Sequence, residues 1–383
     1  MLMAVPLLAL FFTANPALQQ TPQNSFDKIV KDAEVARTAD RVPDAIELYS
    51  EGVRLRPSWS EGWWSLGSLL YDQDRFPEAQ AAFKRFAAIA TNPGPAYAFL
   101  GLCEYETREY DQALKHFQAW GSKGSPGNDE LIDVAGFHWA LLLTREGRFP
   151  EALYLLAAKA QKLGRSPALV EAMGLASLRM TNLPEDYPQE RRDLVWLAGQ
   201  AAFYSAVHEH DREEEYANKL LIHYSWEPNV HYFRGTLLGF QKERAEAAKE
   251  YQQELQLSPQ HVPAMVELAL VQIDDFNAAE ATPLAERAVA LDSRNSRAQF
   301  ALGRALLETD RFQESADHLE IAKRLAPDSA PIRFGLAKAY RALGRTEEAE
   351  RESAAFLSLK AKDEVLAPTQ QKNGNREQAG PPK

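Results

Sequence analysis

The chain has 383 residues, of which 45% are hydrophobic and 25% charged, the balance of a folded protein rather than a disordered one. Its 54 Asp and Glu outnumber 43 Lys and Arg, for a formal charge of −11. That field repels phosphate backbones and argues against nucleic-acid binding, and the short basic pair Arg191-Arg192 does not reverse it.

The chain opens on an apolar run, Val5 to Phe12, followed by small residues and Pro16 up to Ala17 and then by polar residues to Asn24. Residues 1–24 thus have the shape of a secretory signal and polar linker, too short in the apolar part to span a bilayer comfortably. No Lys or Arg precedes the run, and an apolar helix packed on the first repeat is the alternative. Export to an extracytoplasmic space such as a periplasm is the expectation, with a cytoplasmic protein as the alternative. No stable membrane span is expected once the signal is removed.

Residues 25–180 are expected to form a first helical array. The single cysteine, Cys103, lies in the apolar stretch Phe99-Leu100-Gly101-Leu102-Cys103, so no internal disulfide is possible and the thiol reads as a small buried hydrophobe. Gly121 to Asn128 is loop chemistry, with Asp129 expected to cap the next helix. Residues 181–191 hold Pro184 and Pro188, which cannot both lie inside a regular helix. Either one second helix is missing there or the pairing is rearranged around a longer helix. A second array is expected over 192–361, and the polar, proline-bearing residues 362–383 are expected to be a disordered tail.

The second array shows the period most clearly. Gly235, Ala269, Gly303 and Ala337 are 34 residues apart in succession, as are Ala247, Ala281, Ser315 and Ala349, and also Pro259, Ser293 and Pro327. Small residues at the first two columns let two helices approach closely, and a proline ends the pair. Trp63-x₂-Leu66-Gly67 with Ala79-x₃-Phe83, Tyr97-x₂-Leu100-Gly101 with Ala113-x₃-Phe117, and Ala247-x₃-Tyr251 with Pro259 resemble the tetratricopeptide repeat. The resemblance covers about Phe26 to Leu359, with repeat starts near Phe26, Ser60, Gly94, Asp133, Pro167, Arg192, Pro228, Val262, Ser296 and Ala330. It implies an all-α, right-handed superhelical solenoid of about ten helical hairpins, irregular near 181–191, whose first helices line a concave groove.

No phosphate-cradling glycine loop, paired CxxC, HExxH or G-x-S-x-G occurs, so no catalytic site and no cofactor is expected. An enzyme with an undetected site near Pro184 is the least favoured reading. His208-Glu209-His210-Asp211 is the one cluster with metal-ligand chemistry, and it falls in an inter-helix turn where neighbouring side chains diverge, so no metal is expected. Groove positions 2, 5, 9, 12 and 13 of the family, carried onto this frame, fall on Trp64, Tyr71, Tyr105, Phe137, Trp196, Phe203, Tyr204, Tyr232, Phe240, Phe300 and Phe334. Arg304, with Lys338 and Arg341, is expected to add positive charge. Trp196, Phe203, Tyr204, Tyr232 and Phe240 are the expected patch for a partner protein or peptide, although an aromatic stripe at helical spacing also suits a core. Pairs such as Trp64 with Ser68 and Tyr232 with Thr236 lack the cationic clamp of chaperone-docking relatives. The chain therefore reads as a protein-interaction scaffold, with a structural subunit of an envelope or secretion assembly as the alternative.

Overall fold

The computed structural model describes residues 22–366; residues 1–21 of the expected signal and linker (1–24) and residues 367–383 of the expected tail lie outside them. Among the described residues there are nineteen α-helices and no strand. They run α1 (Pro22–Thr38), α2 (Val42–Leu55), α3 (Ser60–Tyr71), α4 (Phe76–Ile89), α5 (Gly94–Glu106), α6 (Tyr110–Gly121), α7 (Asp129–Arg145), α8 (Phe149–Leu163), α9 (Pro167–Ser177) and α10 (Arg192–Ala206). They continue with α11 (His210–Tyr224), α12 (Val230–Phe240), α13 (Arg244–Leu257), α14 (Val262–Asp274), α15 (Ala278–Leu291), α16 (Ser296–Glu308), α17 (Phe312–Leu325), α18 (Ala330–Ala342) and α19 (Thr346–Leu366). Helix α19 takes in residues 362–366 of the expected tail. The chain divides into two compact units, one to Lys159 and one from Ala160.

The period is written into the backbone. Each first helix ends on a residue of positive φ: Asp40, Asp74, Arg108, Gly147, Arg179, His208, Lys242, Phe276, Asp310 and Gly344. Successive turns are 34, 34, 39, 32, 29, 34, 34, 34 and 34 residues apart. At each, the next N–H reaches back five residues to a helix carbonyl, as in Arg41 N to Ala36 O, Met180 N to Leu175 O and Arg345 N to Tyr340 O. This is the Schellman closure, which satisfies carbonyls the helix would otherwise leave unpaired. The long interval holds the loop after α6, where the Asn128 side chain, rather than Asp129, caps α7 by accepting from Leu131 N at 2.9 Å.

Within a repeat, the small residue of the first helix receives a large side chain from the second. A Cβ on Gly101 would lie 2.6 Å from the Phe117 ring, and one on Gly235 or Gly303 would lie 2.6 Å from Tyr251 or Leu319. In the first unit these contacts merge into an aromatic core, with Phe83 stacked on Phe99 at 4.7 Å and Trp120 almost fully buried.

The fifth repeat has only its first helix. Helix α9 closes with the usual turn at Arg179, and residues 178–191 then return without a second α-helix, apart from a 3₁₀ turn at Gln189–Arg191. Leu183, 2% exposed, fills the core where that helix would lie, and the Tyr187 hydroxyl donates to the Glu171 carboxylate. The next partner of α9 is α10 itself. A Cβ on Gly174 would sit 2.0 Å from Val195 O, and one on Gly199 would sit 1.9 Å from Val170 O. The two contacts run in opposite chain directions, so α9 and α10 are antiparallel with backbones touching. The missing-helix alternative therefore holds, and α10 packs on both α9 and α11.

Candidate functional site

The turn residues fix the repeat frame, and this frame sorts the expected groove residues. Counting back from each positive-φ residue reproduces eight of the ten predicted starts. The fifth and sixth move, from Pro167 to Arg165 and from Arg192 to Leu194. In the sixth repeat the groove positions therefore shift away from Trp196, Phe203 and Tyr204, onto residues such as Val195 and Ala198, both fully buried.

That shift explains why part of the expected patch is core. Phe203 and Tyr204 are 5% and 4% exposed, so neither offers a surface. The Tyr204 ring stacks on Tyr216 at 5.6 Å, and its hydroxyl accepts from Arg212 Nη1 at 2.7 Å. Trp196 is open, at 40% exposure, but it faces α11. Together with Asp193, Leu197, Lys219, His223 and Tyr224 it lines a shallow pocket of about 420 Å³ between α10 and α11.

In the first unit the expected residues are half-buried members of the aromatic core. Trp64 lies 5.1–5.5 Å from Phe83, Phe86 and Phe99, and Tyr71 packs on Phe76 and Phe99. Burial pushes the Tyr71 hydroxyl up to about 12. Tyr105 meets Tyr110 and His138, and Phe137 is half-buried beside His138.

In the second unit Tyr232 on α12 sits in a recess built from four elements. Its ring lies 4.9 Å from His261, 6.0 Å from Tyr251 and 5.7 Å from the Arg179 guanidinium, and it keeps some solvent contact. Burial raises its hydroxyl pKa, as does the nearby Glu267 carboxylate. Burial also lowers the pKa of Arg179. Buried Glu254 supports the recess from below: its carboxylate accepts from Asn229 N at 3.0 Å and Tyr232 N at 3.2 Å, capping α12. His261 joins two repeats. Its Nδ1 accepts from Ala264 N at 3.0 Å, so its Nε2–H donates to Asn229 Oδ1 at 2.8 Å. Phe240, 75% exposed, stands free at the end of α12 and shares no ring contact with Tyr232.

Toward the C-terminus two of the three expected cations, Arg304 and Lys338, are neutralised by ion pairs, whereas Arg341 is exposed and has no ion pair among the described residues. Arg297 forks onto Glu267 at 2.6 and 2.8 Å, Arg304 pairs with Asp274 at 2.9 Å, and Lys338 pairs with Glu308 at 3.0 Å. Each pair spans 30 residues, so parallel first helices of neighbouring repeats are laced together. Arg304 also lies over Phe300, which is half-buried. Phe334, half-exposed, packs on Phe356 at 5.3 Å. Acid–base pairs at a spacing of 30 were the signal in the sequence that reveals this ladder.

Of the His-Glu-His-Asp cluster, His208 is the turn residue and His210 Nδ1 lies 3.2 Å from buried Glu213. Among the described residues no group of three or more His, Cys, Asp or Glu is placed to hold a metal ion. No described helix is long and apolar enough to cross a membrane.

Helical pairs with this turn, this period and these small-residue contacts define a class of repeat scaffold. The tetratricopeptide repeat family model matches residues 31–95, 65–128 and 267–330. The chain is a tetratricopeptide repeat protein, a member of a protein-interaction family rather than an enzyme family. No curated protein sequence matches it. Among solved structures, MamA from Desulfovibrio magneticus RS-1 aligns over 45% of this chain and 97% of its own, at 17% identity and a TM-score of 0.40. YrrB, described as a TPR protein with an unusual peptide-binding site, aligns over 48% and 94%, at 19% identity and a TM-score of 0.38.

Proposed function

We propose that the chain is a non-enzymatic scaffold that holds a segment of a partner protein in the Tyr232 recess of its second unit. The observation that carries this reading is a tyrosine ringed by Arg179, Tyr251 and His261 yet still in part open to solvent. A recessed aromatic offers contact area at little entropic cost, and the adjoining arginine supplies a directional donor for peptide carbonyls or carboxylates. A photo-crosslinking amino acid placed at Tyr232, and separately at exposed Lys249 on α13, tests it. A partner trapped from Tyr232 but not from position 249 supports the reading. Equal trapping from both sites, or none from Tyr232, refutes it.

The scaffold works outside the cytoplasm in this proposal, because the N-terminal segment has the order of a secretory signal. N-terminal sequencing of the mature protein checks this. A start after Ala14 or Ala17 supports export, and a start at Met1 or Leu2 refutes it.

A further inference from the structure

The pocket on the α10–α11 pair shares no residue with the Tyr232 recess and has a different chemistry. Because the two helices are antiparallel, the first turn of α10 meets the last turn of α11, and an Arg191–Glu227 ion pair at 3.2 Å ties that end together. Trp196 and Leu197 face His223 and Tyr224, with Asp193 and Lys219 completing the lining.

Three features of this pocket need a common explanation. Trp196 is 40% exposed, and among the described residues its ring meets no other ring and its indole N–H has no hydrogen-bond partner. Among the described residues the rings that Tyr224 meets belong to its own segment, His223 at 6.4 Å and Trp226 at 6.2 Å, and Trp226 is itself 63% exposed. The charge of the pocket is also unbalanced. The Lys219 ammonium is held by Glu215 at 2.5 Å, whereas the Asp193 carboxylate has no hydrogen bond or ion pair among the described residues.

Open aromatic faces beside an unpaired carboxylate are the chemistry that receives an organic cation. We propose that this pocket takes an arginine side chain of a partner protein, its guanidinium lying against Trp196 and Tyr224 and donating to Asp193. An apolar side chain would cover Asp193 without pairing it, which carries a desolvation cost. A lysine ammonium is a strongly hydrated point charge. A guanidinium is planar, more weakly hydrated and able to stack and to fork onto a carboxylate at once. The chain's net charge of −11 draws such a partner in from a distance.

The test uses the full chain and three capped tripeptides, Gly-Arg-Gly, Gly-citrulline-Gly and Gly-Leu-Gly, titrated against the indole N–H resonance that Trp196→Phe assigns. Citrulline keeps the shape of arginine and removes its charge. The arginine peptide should shift the Trp196 resonance in a saturable way, with the other two roughly tenfold weaker or more. Asp193→Asn should bring arginine down to the citrulline level with the far-ultraviolet circular dichroism unchanged. If that variant weakens α10 itself, Tyr224→Leu keeps the Trp196 reporter and an apolar wall, removes the other stacking face and should show the same loss. Equal affinity for arginine and citrulline, tighter binding of the leucine peptide, or no shift of the Trp196 resonance overturns the proposal. None of these outcomes depends on what Tyr232 binds.

Discussion

Gly174 and Gly199 each lie under the backbone of the other's helix, closer than any side chain allows: a Cβ on either would come within 2.0 Å of a carbonyl oxygen. At Gly67, Gly101, Gly235 and Gly303 the nearest atom belongs to an aromatic or leucine side chain, which can yield; here it belongs to main chain. Gly174→Ala and Gly199→Ala should each destabilise by at least about 3 kcal/mol, the top of the usual overpacking range. Gly136 on α7 has nothing within 4 Å of its would-be Cβ, so Gly136→Ala should instead stabilise by about 0.5–1 kcal/mol. Urea denaturation of the three variants checks both signs, and a neutral Gly174→Ala would contradict the backbone contact.

Cys103 is fully buried, and burial pushes its thiol up to about 12, with the Glu104 carboxylate adding to the shift. The thiolate is the reactive form, so the folded protein should resist a disulfide-exchange reagent at pH 8 and react with one equivalent once denatured. Rapid labelling of the folded chain would show that the third repeat opens readily.

His231 donates to Glu250 at 2.6 Å, and this hydrogen bond raises its pKa above the usual 6.5. The stabilisation is fully present below the unfolded value, about 6.5, and is lost as pH rises through the raised folded value. His261 has the opposite sign. Burial lowers its pKa, so its stabilisation is present above about 6.5 and is lost as pH falls. Between pH 5.5 and 8.5, His231→Gln should cost most in melting temperature at the acid end. His261→Gln should relieve part of the acid loss seen in the parent. Melting curves across that range give both slopes.

Phe276 is 95% exposed and holds φ at 62°, in the turn that other repeats assign to Asp, Arg, His, Lys or Gly. A bulky residue in left-handed backbone costs on the order of 1–2 kcal/mol, which asparagine largely avoids. Phe276→Asn should therefore stabilise by about 1 kcal/mol in denaturant melts. Phe240, almost as open at 75%, lies in a helix and should show no such gain on the same change.

The repeat period and the helical pairs were legible because close packing restricts three columns to small residues and proline, and restricted columns show through in one sequence. The same rule misled the reading at two places. Gly174 and Gly199 look like the small residue of their own repeats, yet the turns at Arg179 and His208 assign that role to Ala172 and Ala201. The glycines are there for the contact between α9 and α10. The expected starts at Pro167 and Arg192 each lie two residues from those the turns fix, and the second of them put Phe203 and Tyr204 on a surface that they do not reach. Pro184 and Pro188 showed that a helix was interrupted, but which helix α9 would then choose depends on contacts distant in sequence. The Asp193–Tyr224 pocket was illegible for the same reason, since its two halves lie about thirty residues apart on different helices.

The reversal at α9 also has an electrical side. Each helix carries about half a positive charge at its amino end and half a negative charge at its carboxyl end. Helices α12 and α14 bring their amino ends to the rim where Asn229, Tyr232 and His261 meet, and the Glu254 carboxylate answers the first of them. Running against α10, α9 delivers a carboxyl end to that same rim, marked by Arg179 beside Tyr232. A peptide crossing the rim thus meets a field that changes sign within about one helix diameter, roughly 10 Å, so that swapping the order of its acidic and basic residues would not leave its binding unchanged.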